Sequence, residues 1–332
     1  MPKILFINSK ESDYLQDLTY SGLVKVLGAE NVMDHPWNPH YHIKWRSYPK
    51  NLGYSAHTLF TSLPCKLSFD STYDAVIVGS AKPECFTEYL NIIEKIPSST
   101  PVIFIDGGDF SDIGGDLTRL KAPHLYYEAE KKRPFDLIFK REYLIDRDYP
   151  ATVIPFPFSF NFSRIYDSAT PREFKYDVSF WAVESDPIRT TALTLLENRF
   201  DCRNNGTVRN QQFKKYERKG MKYLEELNSC KIVLNFRGVG WDTLRYWETS
   251  AMGRFMISQK PHIVIPDNFI DGKDIVFCKD DLSDLIDLCE FYLQHEEERE
   301  TIAKNALESA KSRHSDVARA EYLLTKMETA FS

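Results

Sequence analysis

The chain has 332 residues, 42% of them hydrophobic and 14% aromatic, which is enough to bury more interior than one compact domain usually holds, so two domains are expected. A formal net charge of −6 excludes coating of nucleic acid or an anionic membrane by bulk electrostatics and confines any polyanion contact to a local patch. The six cysteines are scattered, with no Cys-x-x-Cys pair and no His at ligand spacing, and no apolar run approaches the roughly 18 residues of a membrane span; reduced thiols, no metal cage and no transmembrane segment are expected.

The opening Met-Pro-Lys-Ile-Leu-Phe-Ile-Asn runs directly into a strand without the pattern of a signal peptide, so a cytoplasmic location is expected. Short β-rich apolar runs follow at Ile4–Ile7, Ala75–Val78, Val102–Ile105, Leu137–Phe139 and Thr152–Ile154, with helix-period segments such as Tyr14–Leu27 and Phe86–Ile96 between several of them. Strands alternating with helices predict βαβ crossovers and a parallel sheet covered on both faces, a Rossmann-like half. The stretch from Pro155 to Pro171, rich in Pro, Ser, Asn and Asp, interrupts the pattern and predicts a domain boundary, with an N-terminal domain over 1–165 and a C-terminal domain over 166–332. The pattern then restarts: strand Tyr176–Val183, helix Pro187–Asn198, strand Lys231–Phe236, helix Asp242–Met252 and strand Arg254–Ser258, followed by helices from Leu282 onward. The expected fold is α/β, two Rossmann-like domains facing a central cleft, with one half for a donor and the other for an acceptor.

The segment Asn235–Gly253 carries the most chemistry. It reads as a buried strand, a glycine-bearing loop from Arg237 to Asp242, and a helix whose free N–H groups and positive dipole end favour an anion such as a diphosphate. Arg237 and Arg245 can add charge-assisted bonds to phosphate, and Glu248, one turn further, can accept from both hydroxyls of a ribose. Gly238, in the same loop, is counted among the nucleotide-sugar-binding candidates. A second helix start at Asp186, with Arg189 in its first turn, is another phosphate candidate, although Asp186 also reads simply as an N-cap.

This segment, with Ile263–Phe277 and the closing Arg319–Leu324, resembles the C-terminal domain of the CgeB-like, group-1-related glycosyltransferases of the GT-B fold. The resemblance covers roughly the last half of the chain and implies a nucleotide-sugar donor such as a UDP-sugar, with Glu248 on the ribose and the neighbouring Thr243, Leu244 and Arg245 near the base and phosphates; Asp242 is counted with them among the nucleotide-sugar-binding candidates. It also implies hexosyl or pentosyl transfer without a bound metal or other cofactor. The sequence departs from the retaining pattern of two Glu residues separated by seven, because Gly240 stands where the first Glu would be, so retaining stereochemistry does not carry over.

In the N-terminal half, Asp106-Gly107-Gly108-Asp109 follows the strand Val102–Ile105, which places Asp106 and Asp109 at its carboxyl end as candidate general bases for an acceptor hydroxyl; turn formation is the plainer alternative. Asp13 and Asp17 read as helix N-terminal charges. His35, His40, His42 and His57 match no metal spacing and read as a loop with stacking histidines, while Trp37, Tyr41, Trp45, Tyr48 and Tyr54 offer an alternative acceptor platform. The acceptor class stays open among glycan, lipid, protein and nucleic-acid base, with peripheral membrane contact also open. The competing function is a non-catalytic nucleotide- or sugar-binding protein of the same two-lobed shape. An NAD-dependent oxidoreductase is disfavoured, because Asn8-Ser9-Lys10-Glu11 follows the first strand where a Gly-x-Gly-x-x-Gly would stand.

Overall fold

The structure, a computed structural model, describes residues 1–43, 50, 52, 73–165, 174–179, 184–196, 199–200 and 221–332. The chain divides into two compact units: Met1–Asn161 with Val264–Pro266 and Asp316–Ser332, and Phe162–Ile263 with Asp267–Ser315. His57, Trp45, Tyr48, Tyr54, Cys65, Cys202 and the end of the strand expected to reach Val183 lie outside the described residues.

Unit 1 begins with β1 (Ile4–Ile7), α1 (Tyr14–Leu27), β2 (Val32–His35), α2 (Pro39–His42), β3 (Ala75–Val78) and α3 (Pro83–Ile92). It continues with β4 (Val102–Asp106), α4 (Gly115–Arg119), α5 (Pro123–Lys132), β5 (Leu137–Lys140) and β6 (Val153–Pro155). The six strands form one parallel sheet in the order β2-β1-β3-β4-β5-β6. Strands β1, β3, β4 and β5 are buried at every residue, which is why they read as apolar runs rather than as an alternation, broken only by Asp106 and Lys140 at the ends of β4 and β5. The order reverses at β1, so the sheet's switch point lies between β1 and β3. Asp13 caps α1, its Oδ1 accepting from the N–H groups of Leu15 and Gln16 at 3.1 Å each, while Pro83 and Pro123 open α3 and α5 where a missing N–H costs nothing.

Unit 2 contains α6 (Phe162–Ile165), β7 (Tyr176–Ser179), α7 (Pro187–Leu196), α8 (Met221–Asn228), β8 (Cys230–Asn235), α9 (Leu244–Ala251), β9 (Phe255–Gln259), β10 (Val276–Cys278), α10 (Leu285–Gln294) and α11 (Glu296–Arg313). Its sheet is also parallel, in the order β10-β9-β8-β7. Val178, Ile232, Leu234, Phe255, Ile257 and Val276 build its core with Leu285, Cys289 and Ile302 from the helices.

The last helix, α12 (Asp316–Phe331), belongs to unit 1, whereas the sequence boundary at 165 assigned everything after it to the C-terminal half. Its seat is specific. Asp316 Oδ2 accepts from Ser21 Oγ at 2.8 Å and pairs with Lys25 Nζ at 2.7 Å, and Asn161 joins the same group through Lys25 and Ser21. Gly22 of α1 faces the Asp316 carbonyl so closely that a Cβ there would stand 2.1 Å from the oxygen. Such periodic, apolar C-terminal helices give no sign in sequence of which sheet they cover.

Candidate functional site

Open parallel sheets bind ligands beyond the carboxyl ends of their strands. In unit 2, the loop that leaves β8 there is tied to the turn preceding α7. Arg189 donates from Nη2 to the Phe236 carbonyl at 2.9 Å and from Nη1 to Ser185 Oγ at 3.1 Å. Arg237 pairs through Nε with Asp186 Oδ2 at 3.2 Å, and its guanidinium carbon lies 4.2 Å from the centre of the Trp241 ring. Asp186 also caps α7, its Oδ1 accepting from the Ile188 N–H at 3.0 Å, as its N-cap reading requires. A Cβ at Gly238 would come 3.1 Å from Arg189 Nη2, so the absence of a side chain lets the loop lie against that guanidinium. Arg189 is therefore a buried brace of this loop, while Arg237 keeps about a third of its side chain in solvent. Glu184, Ser185, Asp186, Pro187, Thr190 and Thr191 line a shallow depression beside it.

Helix α9 starts from the same loop. Thr243 is its N-cap in extended backbone, but its hydroxyl does not cap the helix: it donates to Asn235 Oδ1 at 2.7 Å, and Asn235 Nδ2 donates to Ser258 Oγ at 3.0 Å. This relay pins the helix start to the ends of β8 and β9 and leaves the positive dipole end without a side-chain cap from Thr243. Asp242 is buried and accepts from Trp247 Nε1 at 2.7 Å, a bond that fixes the first turn, whereas the sequence placed Asp242 near the ligand. Leu244 is partly buried in that turn.

Arg245 and Glu248 stand one turn apart on the same face of α9 and are both buried, Glu248 at 2% exposure. That excludes a solvated helix residue. Glu248 Oε2 accepts from the Tyr223 hydroxyl of α8 at 2.8 Å. Tyr223 had no signal in the sequence beyond its place in a helix preceding a buried strand.

Unit 1 corrects one sequence-predicted residue. Asp106 is the last residue of β4 rather than part of the loop, in register with Lys140 of β5. Both side chains are fully buried, with Lys140 Nζ 3.0 Å from Asp106 Oδ2, and that oxygen also accepts from the Gly114 N–H at 2.9 Å. Lys140 donates further to the Phe110 carbonyl at 2.5 Å. Asp106 thus anchors the loop 107–114 from inside and presents no carboxylate to an acceptor. Asp109 differs: its side chain is half exposed and pairs with Arg141, whose guanidinium lies 4.5 Å over the Phe158 ring.

The histidine-rich stretch is built as a stacked structure. His42 stacks on Trp37 at 5.3 Å and bonds Asp34 Oδ1 through Nε2 at 3.0 Å, and Tyr41, stacked on Tyr20, is fully buried and donates to Asp17 Oδ1 at 3.1 Å. Tyr41 therefore offers no face to an acceptor. Among the described residues no group of three His, Cys, Asp or Glu side chains is placed to hold a metal ion, and no helix is long and apolar enough to cross a membrane.

Residues 191–325 match the glycosyl transferase-like family. No curated protein matches the sequence. Among solved structures, HepE from Anabaena in complex with UDP and glucose superposes with a TM-score of 0.56 at 11% identity, over 99% of this chain and 100% of that one. An alpha-glucosyltransferase in complex with UDP and a 13-mer DNA containing a central A:G mismatch gives 0.57 at 10% identity, over 99% and 100%. Sucrose-phosphate synthase from Thermosynechococcus elongatus gives 0.53 at 10% identity, over 100% and 99%. These likenesses share the fold, two Rossmann-like domains, with the two parallel sheets described above. The family match lies across α9 and the elements around it, and the fold shared with these structures is the two-domain GT-B fold.

Proposed function

We propose that the protein transfers a sugar from a nucleotide-activated donor, a UDP-sugar in the first instance, to an acceptor hydroxyl, with the donor held by unit 2. The observation that carries this is the buried Arg245–Glu248 face of α9, following the Arg237 loop and a helix start that the Thr243 hydroxyl does not cap, inside the family-matched region. In the reaction the bond between the anomeric carbon and the diphosphate oxygen breaks, a bond to the acceptor oxygen forms, and the acceptor proton passes to a base. The charge that develops on the leaving diphosphate is met by Arg237, Arg245 and the N-terminal end of α9, groups already oriented before reaction. Glu248 takes the ribose hydroxyls. No divalent cation is needed where guanidinium groups and a helix end neutralise the leaving group. Of the two aspartates expected on the acceptor side, Asp109 is the one with an exposed carboxylate, oriented by Arg141, and is the base of this mechanism.

The test is turnover. The protein is incubated with UDP-, GDP- and TDP-linked hexoses and pentoses and with glycan, lipid, protein and hydroxymethylated DNA acceptors, in excess chelator, and nucleoside diphosphate release is measured. Acceptor-dependent release is expected. Binding of sugar nucleotides with no release under any acceptor establishes the non-catalytic binding protein instead, and a strict Mn²⁺ or Mg²⁺ requirement overturns the metal-free mechanism.

A further inference from the structure

We infer that Tyr223 is a positioning residue for nucleotide recognition: by fixing the Glu248 carboxylate it sets the protein's preference for ribonucleotide over deoxyribonucleotide donors. The inference rests on Glu248 being the ribose-binding group. Helix α8 runs directly into β8, and its Tyr223 ring is buried, so the phenol is held by packing before it makes any polar contact. Its hydroxyl donates to Glu248 Oε2 at 2.8 Å between two side chains removed from solvent. A phenol donating to an ionised carboxylate makes a charge-assisted bond, roughly twice as strong as a neutral one.

Such a bond acts on orientation. A Glu side chain reaches its carboxylate through three rotatable bonds, and the terminal one is broad and roughly two-fold, so the carboxylate plane is poorly defined without an external partner. A carboxylate offers about four lone-pair directions, and Tyr223 occupies one of them. With one direction occupied, the plane of the group is set. Recognition of a vicinal diol needs that definition, because the two hydroxyls of a ribose present donors at a fixed separation and only one rotation of the carboxylate meets both. A deoxyribose presents one donor and is far less sensitive to the rotation. Loss of the phenol hydroxyl therefore weakens the ribose more than the deoxyribose, while the guanidinium and helix-end contacts to the diphosphate are unaffected.

The experiment measures the Kd of UDP and of 2′-deoxy-UDP by calorimetry for the full chain, for Glu248→Ala and for Tyr223→Phe. The quantity compared is the ratio of the two Kd values within each protein, which a partly unfolded sample leaves unchanged because both ligands see the same folded fraction. Wild type is expected to favour the ribonucleotide by about tenfold, the worth of one hydrogen bond to a charged group. Glu248→Ala is expected to bring the ratio to about 1, and Tyr223→Phe to an intermediate value of about 3, with Tyr223→Phe/Glu248→Ala no lower than Glu248→Ala alone. A merely structural role for Tyr223 moves both affinities together and leaves the ratio at the wild-type value; that result, with the ratio collapsed in Glu248→Ala, overturns the inference while the role of Glu248 stands. A wild-type ratio of about 1, or one that Glu248→Ala does not change, removes Glu248 from the ribose and the inference with it.

Discussion

Replacing Asp106 by Asn separates catalysis from architecture. In the folded protein Asp106 and Lys140 are both fully buried, 3.0 Å apart, and the aspartate also holds the Gly114 N–H at 2.9 Å. The substitution keeps the shape and one acceptor oxygen but leaves the Lys140 ammonium in a dry interior with no counter-charge. Breaking a buried pair from one side costs about 3–5 kcal/mol, against a total of roughly 5–15 kcal/mol for a folded domain. Asp106→Asn should accordingly lower the urea midpoint of unit 1 steeply. Asp106→Asn/Lys140→Met removes the stranded charge and should be less destabilised than Asp106→Asn alone, a non-additivity that only a direct pairing produces. The assay is equilibrium urea unfolding followed by circular dichroism, with diphosphate release normalised to the folded fraction. An Asp106→Asn protein as stable as wild type that has lost more than about a hundredfold of its normalised rate, the scale of a missing general base, would refute the structural assignment.

Other outcomes follow from individual contacts. Gly22→Ala places a methyl 2.1 Å from the Asp316 carbonyl, so α12 must lift from α1; a thermal melt should fall by an amount typical of overpacking, about 1–3 kcal/mol or more, where a tolerated substitution would leave the melt unchanged. Gly238→Ala presses on the Arg189 guanidinium at 3.1 Å, and the expected result is an increase in KM for the donor of several-fold, on the order of 1 kcal/mol, with little change in melting temperature. At alkaline pH, burial pushes the Cys278 thiol up to about 12 and also raises the phenols of Tyr89, Tyr126 and Tyr246. The unfolded chain releases these protons first, so their contribution is complete below the unfolded thiol value of about 9 and is lost as pH climbs towards 12. Urea midpoints measured across that window should fall steadily; a flat profile contradicts the burial of these groups.

Much of the architecture was legible because a parallel strand buried on both faces writes itself as a short apolar run: Ile4–Ile7, Ala75–Val78 and Val102–Ile105 appear in the structure where the sequence places them. Strand β2 was not, since Val-Met-Asp-His at the sheet edge has only one fully buried residue and carries no run or alternation. Nor was the seat of α12, which depends on Gly22, Ser21, Lys25 and Asn161 meeting Asp316 across nearly the whole length of the chain. At the candidate site, glycines, arginines and a helix start within one loop gave the location, but roles depend on partners that spacing does not disclose. Asp106 and Asp109 lie three residues apart in one turn-like motif, yet strand register hides the first beside Lys140 and leaves the second in solvent. Asp242 likewise spends its carboxylate on Trp247, a residue five positions on whose indole N–H has to be satisfied when buried.

The most direct measurement of the central claim is the thermal shift produced by UDP on wild type, Arg245→Ala and Glu248→Ala in the presence of chelator. Ligand that binds only the folded state raises its stability by RT ln(1 + [L]/Kd), about 2.7 kcal/mol at a hundredfold excess over Kd. A donor site on α9 predicts a clear upward shift for wild type that is much reduced in both variants. Equal shifts in all three proteins would contradict it.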